Sequence, residues 1–285
     1  MNPRKLLLLV TVSLATLMPC SNAKIRGSDA ANSSVGIEDK YFDLGGYRLH
    51  ALMAGQGKPA VVFEAGMGDD STVWEKVQPA ISKTTRTIAY DRPWRGKSDP
   101  APHFLDLNEM ADELHRGLAK AQLSPPYILV GHSMGGMIVR VFAHRYPKET
   151  AGMVLVDPAD ENLDDRLHAK MNQQQWDSYS AGLKEHFADP MMKPEALAME
   201  SHSEASAAVP QPKVPIIVLS GTQPNARWPN SDLLRTSMTE LHTEWVHKTP
   251  GAELILVRGA GHYIQIDAPE TVIAAIEKVM TETKH

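Results

Sequence analysis

Short apolar segments alternate with helix-like segments from about residue 60 to the end of this 285-residue chain, and this alternation constrains the fold more than any other feature. The apolar segments are rich in Val, Ile and Leu, as is typical of strands that are buried on both faces of a sheet. Strands are expected at 60–64, 86–91, 127–130, 152–156, 214–220 and 253–257. A hairpin over 39–54 adds two more around Gly45-Gly46. The pattern predicts an α/β fold with a mostly parallel, eight-stranded sheet and helices on both faces.

Helices are expected between these strands, at 72–81, 107–123, 133–146 and 269–281. One interval, 160–212, breaks the alternation, because it contains weakly amphipathic helical runs and no convincing strand. About 50 residues are too many for a simple loop. Since open α/β sheets bind ligands at the carboxyl ends of their strands, we predict that 160–212 is a helical cap over that edge. Residues 37–159 and 213–285 are then the core.

The N-terminal segment 1–23 has a positively charged start, a short apolar run and small residues at its end, the three parts of a secretory signal. Its apolar run is shorter than the roughly 20 residues of a membrane span. We therefore expect cleavage near Ala23, a flexible lead-in over 24–36, and an exported protein that is periplasmic or secreted. A retained anchor and lipid attachment at Cys20, the only cysteine, are the alternatives.

The bulk composition is that of a soluble globular protein, with 42% hydrophobic and 22% charged residues. The net charge is −5 and no basic patch is evident, which argues against nucleic-acid and anionic-membrane partners. No metal-type Cys/His cluster and no nucleotide motif occurs in the sequence, so no cofactor and no metal are expected. Oligomeric state cannot be read from these features.

The bend after the fifth expected strand carries the chemistry. Gly131-His132-Ser133-Met134-Gly135 matches G-x-S-x-G and lies between a strand and a helix. A serine on such a strained turn points its hydroxyl outward, and small neighbours let adjacent backbone pass close by. The helix that follows directs its first N–H groups at the site, where they favour developing negative charge. The sequence therefore predicts that Ser133 is a nucleophile.

A serine nucleophile needs a base, and position selects His262 from the twelve histidines. His262 follows the last expected strand on a glycine-rich loop, which places it on the same rim as Ser133. His132 adjoins the serine and should point the other way. His50 and His144 lie in a strand and a helix, where a structural role is expected.

The third member should be a carboxylate that orients the imidazole. Asp157 ends the strand that follows the nucleophile helix, so it is well placed to face the rim. The alternative is that Asp157 caps a local turn. Asp232 is the reserve candidate, because it comes about a dozen residues after the next strand, late for a rigid mount.

Acyl chemistry also needs donors for an oxyanion. The backbone N–H of Met134, directly after the nucleophile, is one candidate, and that of Met67, in the loop after strand 60–64, is the second. Glu64 is interpreted as a strand-end carboxylate with a local hydrogen bond. A substrate pocket could be lined by large apolar side chains, or these could pack the cap onto the core: Trp74, Trp94, Trp176, Met191, Met192 and Met199.

Taken together, the motifs resemble the α/β-hydrolase superfamily over essentially the whole chain after the signal. They are EAGMG at 64–68, YDRPWRGKSD at 90–99, GHSMGG at 131–136, VLVDP at 154–158 and GAGH at 259–262. The resemblance implies a serine, acid and histidine triad in the order Ser133, Asp157, His262.

The chain departs from many relatives at three places. Ala65 stands where many have histidine, and Trp94 where many have glycine. Most relatives carry the acid after the seventh strand, whereas Asp157 follows the sixth, as in some dehalogenases and vertebrate lipases. Serine at the elbow argues against epoxide hydrolase and dehalogenase chemistry, which use an aspartate there.

These features predict an exported serine hydrolase that cleaves small carboxylic esters through an acyl-serine. A lactonase, for example for acyl-homoserine lactones, or a small-amide or thioester hydrolase on the same triad is the alternative. A hydroxynitrile lyase or cofactor-free haloperoxidase, and a non-catalytic binding protein, are further alternatives on the same scaffold.

Overall fold

A computed structural model describes residues 36–190, 192–201, 211–226 and 229–283. The expected signal segment and nearly all of the lead-in lie outside these residues. Eight strands form one sheet: β1 Glu38–Asp43, β2 Arg48–Ala54, β3 Ala60–Glu64, β4 Thr87–Tyr90, β5 Tyr127–His132, β6 Thr150–Val156, β7 Ile216–Gly221 and β8 Ala252–Val257.

The strands lie in the order β1-β2-β4-β3-β5-β6-β7-β8. β2 is antiparallel to β1 and β4, and every other neighbouring pair is parallel. This topology confirms the predicted mostly parallel eight-stranded sheet and the hairpin at its edge. Because β3 to β8 run in one direction, their carboxyl ends meet at one edge of the sheet, where the predicted site residues follow them.

Helices connect the strands. They are α1 Gln78–Ile81, α2 Leu107–Lys120, α3 Met134–Arg145, α4 Leu163–Lys170, α5 Gln173–Phe187, α6 Lys193–Ser201, α7 Ser231–Lys248, α8 Ile264–Asp267 and α9 Pro269–Glu282, with 3₁₀ turns at Ser71–Trp74 and Pro147–Glu149.

Two apolar layers cover the two faces of the sheet, as the alternation of side chains along a strand requires. In β3, Val62 belongs to the layer that includes α2 and α3. Its neighbours Val61 and Phe63 belong to the layer that includes α1 and α9. All three side chains are completely buried. The core therefore holds the strand ends rigidly on both sides.

Two helix predictions need correction. The expected helix 72–81 is a 3₁₀ turn at Ser71–Trp74 followed by the short α1. Pro79 explains the break, because its ring would clash with the carbonyl of Glu75 in one continuous helix. The sequence pattern does not predict the long helix α7, although this helix carries Arg235, which contacts Asp157.

The described part of 160–212 contains α4, α5 and α6 and no strand. Arg166 of α4 pairs with Glu240 and Glu244 of α7 at 3.1 and 2.8 Å, and Glu195 of α6 reaches Gly68 at the carboxyl edge. Among the helices in the described parts of the chain, none is both long enough and apolar enough to cross a membrane.

A buried carboxyl on α2 makes the stability of the core pH-dependent. Burial raises the pKa of Glu113 from 4.5 to about 7, and its Oε2 accepts a 2.5 Å bond from the Tyr47 hydroxyl. Between these two pH values the folded chain keeps a proton that the unfolded chain releases, so stability falls as pH rises. The shift corresponds to roughly 3 kcal/mol in all.

Glu113→Gln should therefore remove most of this loss. We expect urea unfolding to show wild type weakening between pH 5 and pH 8, while the variant changes much less over the same interval. Glu277→Gln, on the exposed side of α9, should behave like wild type. Equal pH dependence in wild type and Glu113→Gln would contradict this account.

Candidate active site

Ser133 lies on the bend between β5 and α3 with φ 53° and ψ −121°, a conformation of positive φ that a non-glycine residue rarely adopts. It is half-buried between buried neighbours. A Cβ at Gly131 would lie 2.5 Å from the Gly135 carbonyl oxygen, and one at Gly135 would lie 2.5 Å from the carbonyl oxygens of Glu64 and Ala65. The glycines on both sides are therefore required by close backbone approach.

Asp157 follows β6, immediately beside β5, and is completely buried. The Ser133 N–H donates to the Val156 carbonyl at 3.2 Å, which joins the serine bend to the residue before Asp157. The Nδ1 of His262 lies 2.7 Å from Oδ2 of Asp157. The structure thus brings His262 and Asp157 into contact across 105 residues of sequence.

The two oxygens of Asp157 accept four hydrogen bonds. Oδ1 accepts from the Gly221 N–H at 3.0 Å and from Arg235 Nη2 at 2.9 Å. Oδ2 accepts from Arg235 Nη1 at 2.8 Å and from His262. Burial opposes ionisation, but the bond from His262 and the charges of His262 and Arg235 outweigh it and hold the pKa of Asp157 well below its ordinary value.

An ionised Asp157 can only accept hydrogen bonds, so Nδ1 of His262 must carry a proton. In the neutral ring, Nε2 is then the basic nitrogen. The His262 side chain is 38% exposed, in contrast to Asp157. The arrangement fixes the tautomer of a reachable base.

His132 supports the His262 loop from below. Burial lowers the pKa of His132, and its Nε2 donates to the His262 carbonyl oxygen at 3.0 Å. The two rings lie 4.7 Å apart. The residue beside the nucleophile therefore holds the backbone of His262 and packs on its ring. The expectation that His132 points the other way is corrected, because its ring lies against the proposed base.

The loop after β3 lies against Arg92. Its Nη1 donates to the Ala65 carbonyl at 2.7 Å and its Nη2 to the Gly66 carbonyl at 2.6 Å. Met67 follows and is half-buried. Met134 is fully buried at the first position of α3, where its N–H has no acceptor within the helix. Met134 thus follows Ser133 directly, and the loop that carries Met67 lies against His132, because a Cβ at Gly66 would be 2.7 Å from its Nδ1.

The carboxylate interpretations differ in outcome. Asp232 is exposed in the first turn of α7, whereas Asp157 is the acid that contacts His262. Glu64 makes local bonds, as expected, because it accepts from the hydroxyl of Tyr90 and from Arg92. His50 is buried between Asp91 and Asp39, which agrees with a structural role.

The predicted pocket residues have different surroundings. Trp74 is completely buried and packs on Phe63 with ring centroids 5.0 Å apart, so the expectation that it edges the pocket is corrected: its ring fills the core. Trp94 packs on Phe104 with the centroids 5.6 Å apart. Met199 packs on the apolar layer beside α2 and α3, in agreement with the packing alternative.

Met192 lies over the loop after β3, because a Cβ at Gly68 would be 2.7 Å from its sulfur. Trp176 lies in α5 and lines an open groove of about 360 Å³ with other residues of α4 and α5. Met191 lies outside the described residues. Met192 is therefore the pocket candidate with a direct contact to the predicted oxyanion loop.

Three functional candidates were missed from sequence. Arg92 lies within the YDRPWRGKSD motif at 90–99, which is a local signal for it. Arg235 and Glu195 gave none, because each lies on a helix of low amphipathicity far along the chain from its partners. Within the described ranges, no group of three or more His, Cys, Asp or Glu side chains is arranged to hold a metal ion.

Comparison with known proteins places the chain. The sequence pattern of the alpha/beta hydrolase family matches residues 61–275. The putative carbamate hydrolase RutD of Cronobacter turicensis is 31% identical over 102 residues, which are 35% of this chain and 38% of the relative. This chain spans less than half the length of each of the first curated relatives that it matches.

Solved structures share the fold at low identity. Est816, described as an N-acyl homoserine lactone degrading enzyme, has a TM-score of 0.62 and 18% identity, covering 84% of this chain and 99% of its own. A thermophilic esterase from Thermogutta terrifontis has a TM-score of 0.59 and 20% identity, covering 86% and 99%. The chain belongs to the alpha/beta hydrolase family.

Proposed function

We propose that this hydrolase cleaves small carboxylic esters through an acyl-serine intermediate. The observation that carries the proposal is the 2.7 Å contact between His262 Nδ1 and Asp157 Oδ2 at the same sheet edge as the strained Ser133. An imidazole that is oriented by a carboxylate, at the sheet edge that also carries the serine bend, is suited to activate the Ser133 hydroxyl for attack on a carbonyl.

The steps follow from these roles. The Oγ of Ser133 attacks the ester carbonyl while Nε2 of His262 takes its proton. The oxyanion receives hydrogen bonds from the N–H groups of Met67 and Met134. The tetrahedral intermediate collapses, and His262 gives the proton to the departing alcohol. Water, deprotonated by His262, then releases the acid and restores Ser133.

Ester hydrolysis is the reaction that we propose, and lactone hydrolysis on the same triad is the alternative. The structural relatives named as an esterase and as a lactone-degrading enzyme share the fold only, and an acyl-serine mechanism serves both substrates equally.

A substrate panel tests the proposal. We expect purified protein to hydrolyse p-nitrophenyl esters from acetate to decanoate, with p-nitrophenol released in an initial burst if deacylation is slower than acylation. Turnover of γ-butyrolactone should be slower than that of the best ester. A faster lactone reaction would favour the lactonase alternative, and absence of turnover on every ester would contradict the proposal.

We also propose that the chain is exported after cleavage near Ala23. The support is the charged start, short apolar run and small residues of 1–23. Mass spectrometry of the protein from its native cells tests this. A mature chain that begins close to residue 24, outside the cytoplasm, is expected, and a cytoplasmic chain that retains residue 1 would contradict it.

A further inference from the structure

A buried ionic cluster links α6 to the core beneath it. The Glu195 side chain is 3% exposed. Its Oε1 accepts from Arg92 Nε at 2.8 Å, and its Oε2 lies 3.0 Å from Arg95 Nη2. Arg92 also pairs with Glu64 at 2.6 Å. Burial would raise the pKa of Glu195, but the two arginine charges outweigh it and lower that pKa, so Glu195 is an anion held by two buried cations. Burial raises the pKa of Glu64, the other carboxyl of the cluster.

The same cluster forms hydrogen bonds with the loop that carries Met67, the predicted oxyanion donor. The Gly68 N–H donates to Glu195 Oε2 at 2.7 Å, and Arg92 donates to the Gly66 carbonyl at 2.6 Å. Both peptide groups flanking Met67 are therefore held, and neither bond uses the N–H of Met67 itself.

The geometry of the peptide bond, together with these contacts, determines the direction in which the Met67 N–H points. In a trans peptide the carbonyl and the following N–H point to opposite sides, and the bond between Gly66 and Met67 is trans. Because Arg92 draws the Gly66 carbonyl toward itself, the Met67 N–H points away from Arg92. Arg92 in turn is held by Glu195, a residue of the helix-rich segment between β6 and β7.

We propose that Glu195 is a positioning residue that makes the oxyanion hole depend on docking of α6. Through Arg92 and Gly68 it orients the Met67 N–H, so the site is catalytically complete only when α6 is seated. This inference rests on the proposed acyl-serine function.

Glu195→Gln is the sharpest test, because both oxygens of Glu195 accept from N–H donors. Whichever way the amide is turned, its NH₂ meets a donor and at least one contact is lost. Misplacing one oxyanion donor costs up to about 100-fold in rate. We expect kcat/KM for p-nitrophenyl acetate to fall 10- to 100-fold. Phenylboronic acid, which Ser133 converts to a tetrahedral adduct with an oxygen at the oxyanion position, should bind weaker by the same factor.

A second variant guards against a folding defect. Arg92→Lys keeps a buried cation beside Glu64 and Glu195 but lacks the fork that reaches two carbonyls, so it should show the same paired losses. Glu161→Gln is the matched control, since Glu161 is a buried partner of Arg140 at 2.7 Å. Glu161→Gln should lower the thermal midpoint as much as Glu195→Gln does and leave the affinity for phenylboronic acid unchanged.

The outcomes separate the two proposals. Parallel losses of kcat/KM and boronate affinity in Glu195→Gln and Arg92→Lys, but not in Glu161→Gln, support the inference. An active wild type whose Glu195→Gln and Arg92→Lys variants match it in both measurements overturns this inference alone, as does loss of turnover with unchanged boronate affinity. A wild type without esterase activity overturns the proposed function and this inference together.

Discussion

Ser133→Ala should reduce kcat for p-nitrophenyl acetate on the order of 10⁵-fold, because removing the nucleophile of a triad removes nearly all of its catalysis. The remaining rate would come from the oxyanion donors and binding alone. Alanine can adopt the positive-φ backbone at 133 at a cost close to that of serine, so the fold should persist. Steady-state kinetics with a check of the thermal midpoint measures the effect.

A second buried serine provides the control. Ser237 is completely buried in α7, and among the residues that the structure describes its hydroxyl has no hydrogen-bond partner. Ser237→Ala should leave kcat within about twofold of wild type, because the hydroxyl of Ser237 makes none of the hydrogen bonds that hold Asp157 and His262. Turnover above a tenth of wild type in Ser133→Ala would show that another group is the nucleophile.

Asp157→Asn should lower kcat by roughly 10⁴-fold. An asparagine in this position no longer selects the tautomer in which Nδ1 of His262 carries the proton, so Nε2 loses its basic lone pair. The substitution also leaves Arg235 buried without an opposite charge, and breaking a buried ion pair costs about 3–5 kcal/mol of stability. Kinetics and urea unfolding together separate the two effects.

Asp232→Asn is the matched comparison for the acid. Asp232 is exposed at the start of α7, where its carboxylate can stabilise the helix terminus by no more than about 1 kcal/mol. We expect wild-type kcat and a small change in unfolding free energy. Loss of turnover in Asp232→Asn with activity retained in Asp157→Asn would reverse the assignment of the acid.

The sequence predicted those parts of the fold that are encoded locally. Short runs of Val and Ile predict the buried strands. The bend at Ser133 is predicted by the glycines within two residues of it. The position of Asp157 could be predicted in the same way, because a residue that directly follows a parallel strand lies at the carboxyl edge of the sheet. These inferences needed no knowledge of distant contacts.

The supports of the site were not accessible in that way. Arg235 lies 78 residues from Asp157, and Glu195 lies 103 residues from Arg92. These pairs form only when the helices between the strands pack over the edge of the sheet. The spacing of apolar residues in the local sequence does not predict that packing. The prediction that Trp74 lines the pocket was wrong for a related reason. A large apolar side chain near the edge of the sheet is equally suited to the core and to a pocket.

Covalent labelling with a fluorophosphonate probe, followed by peptide mapping, tests the central claim most directly: His262 activates Ser133 in the folded chain. We predict one label per chain, located on Ser133, lost in 8 M urea and strongly slowed in His262→Ala. A folded wild-type protein that stays unlabelled, or that carries the label on a different residue, would contradict the claim.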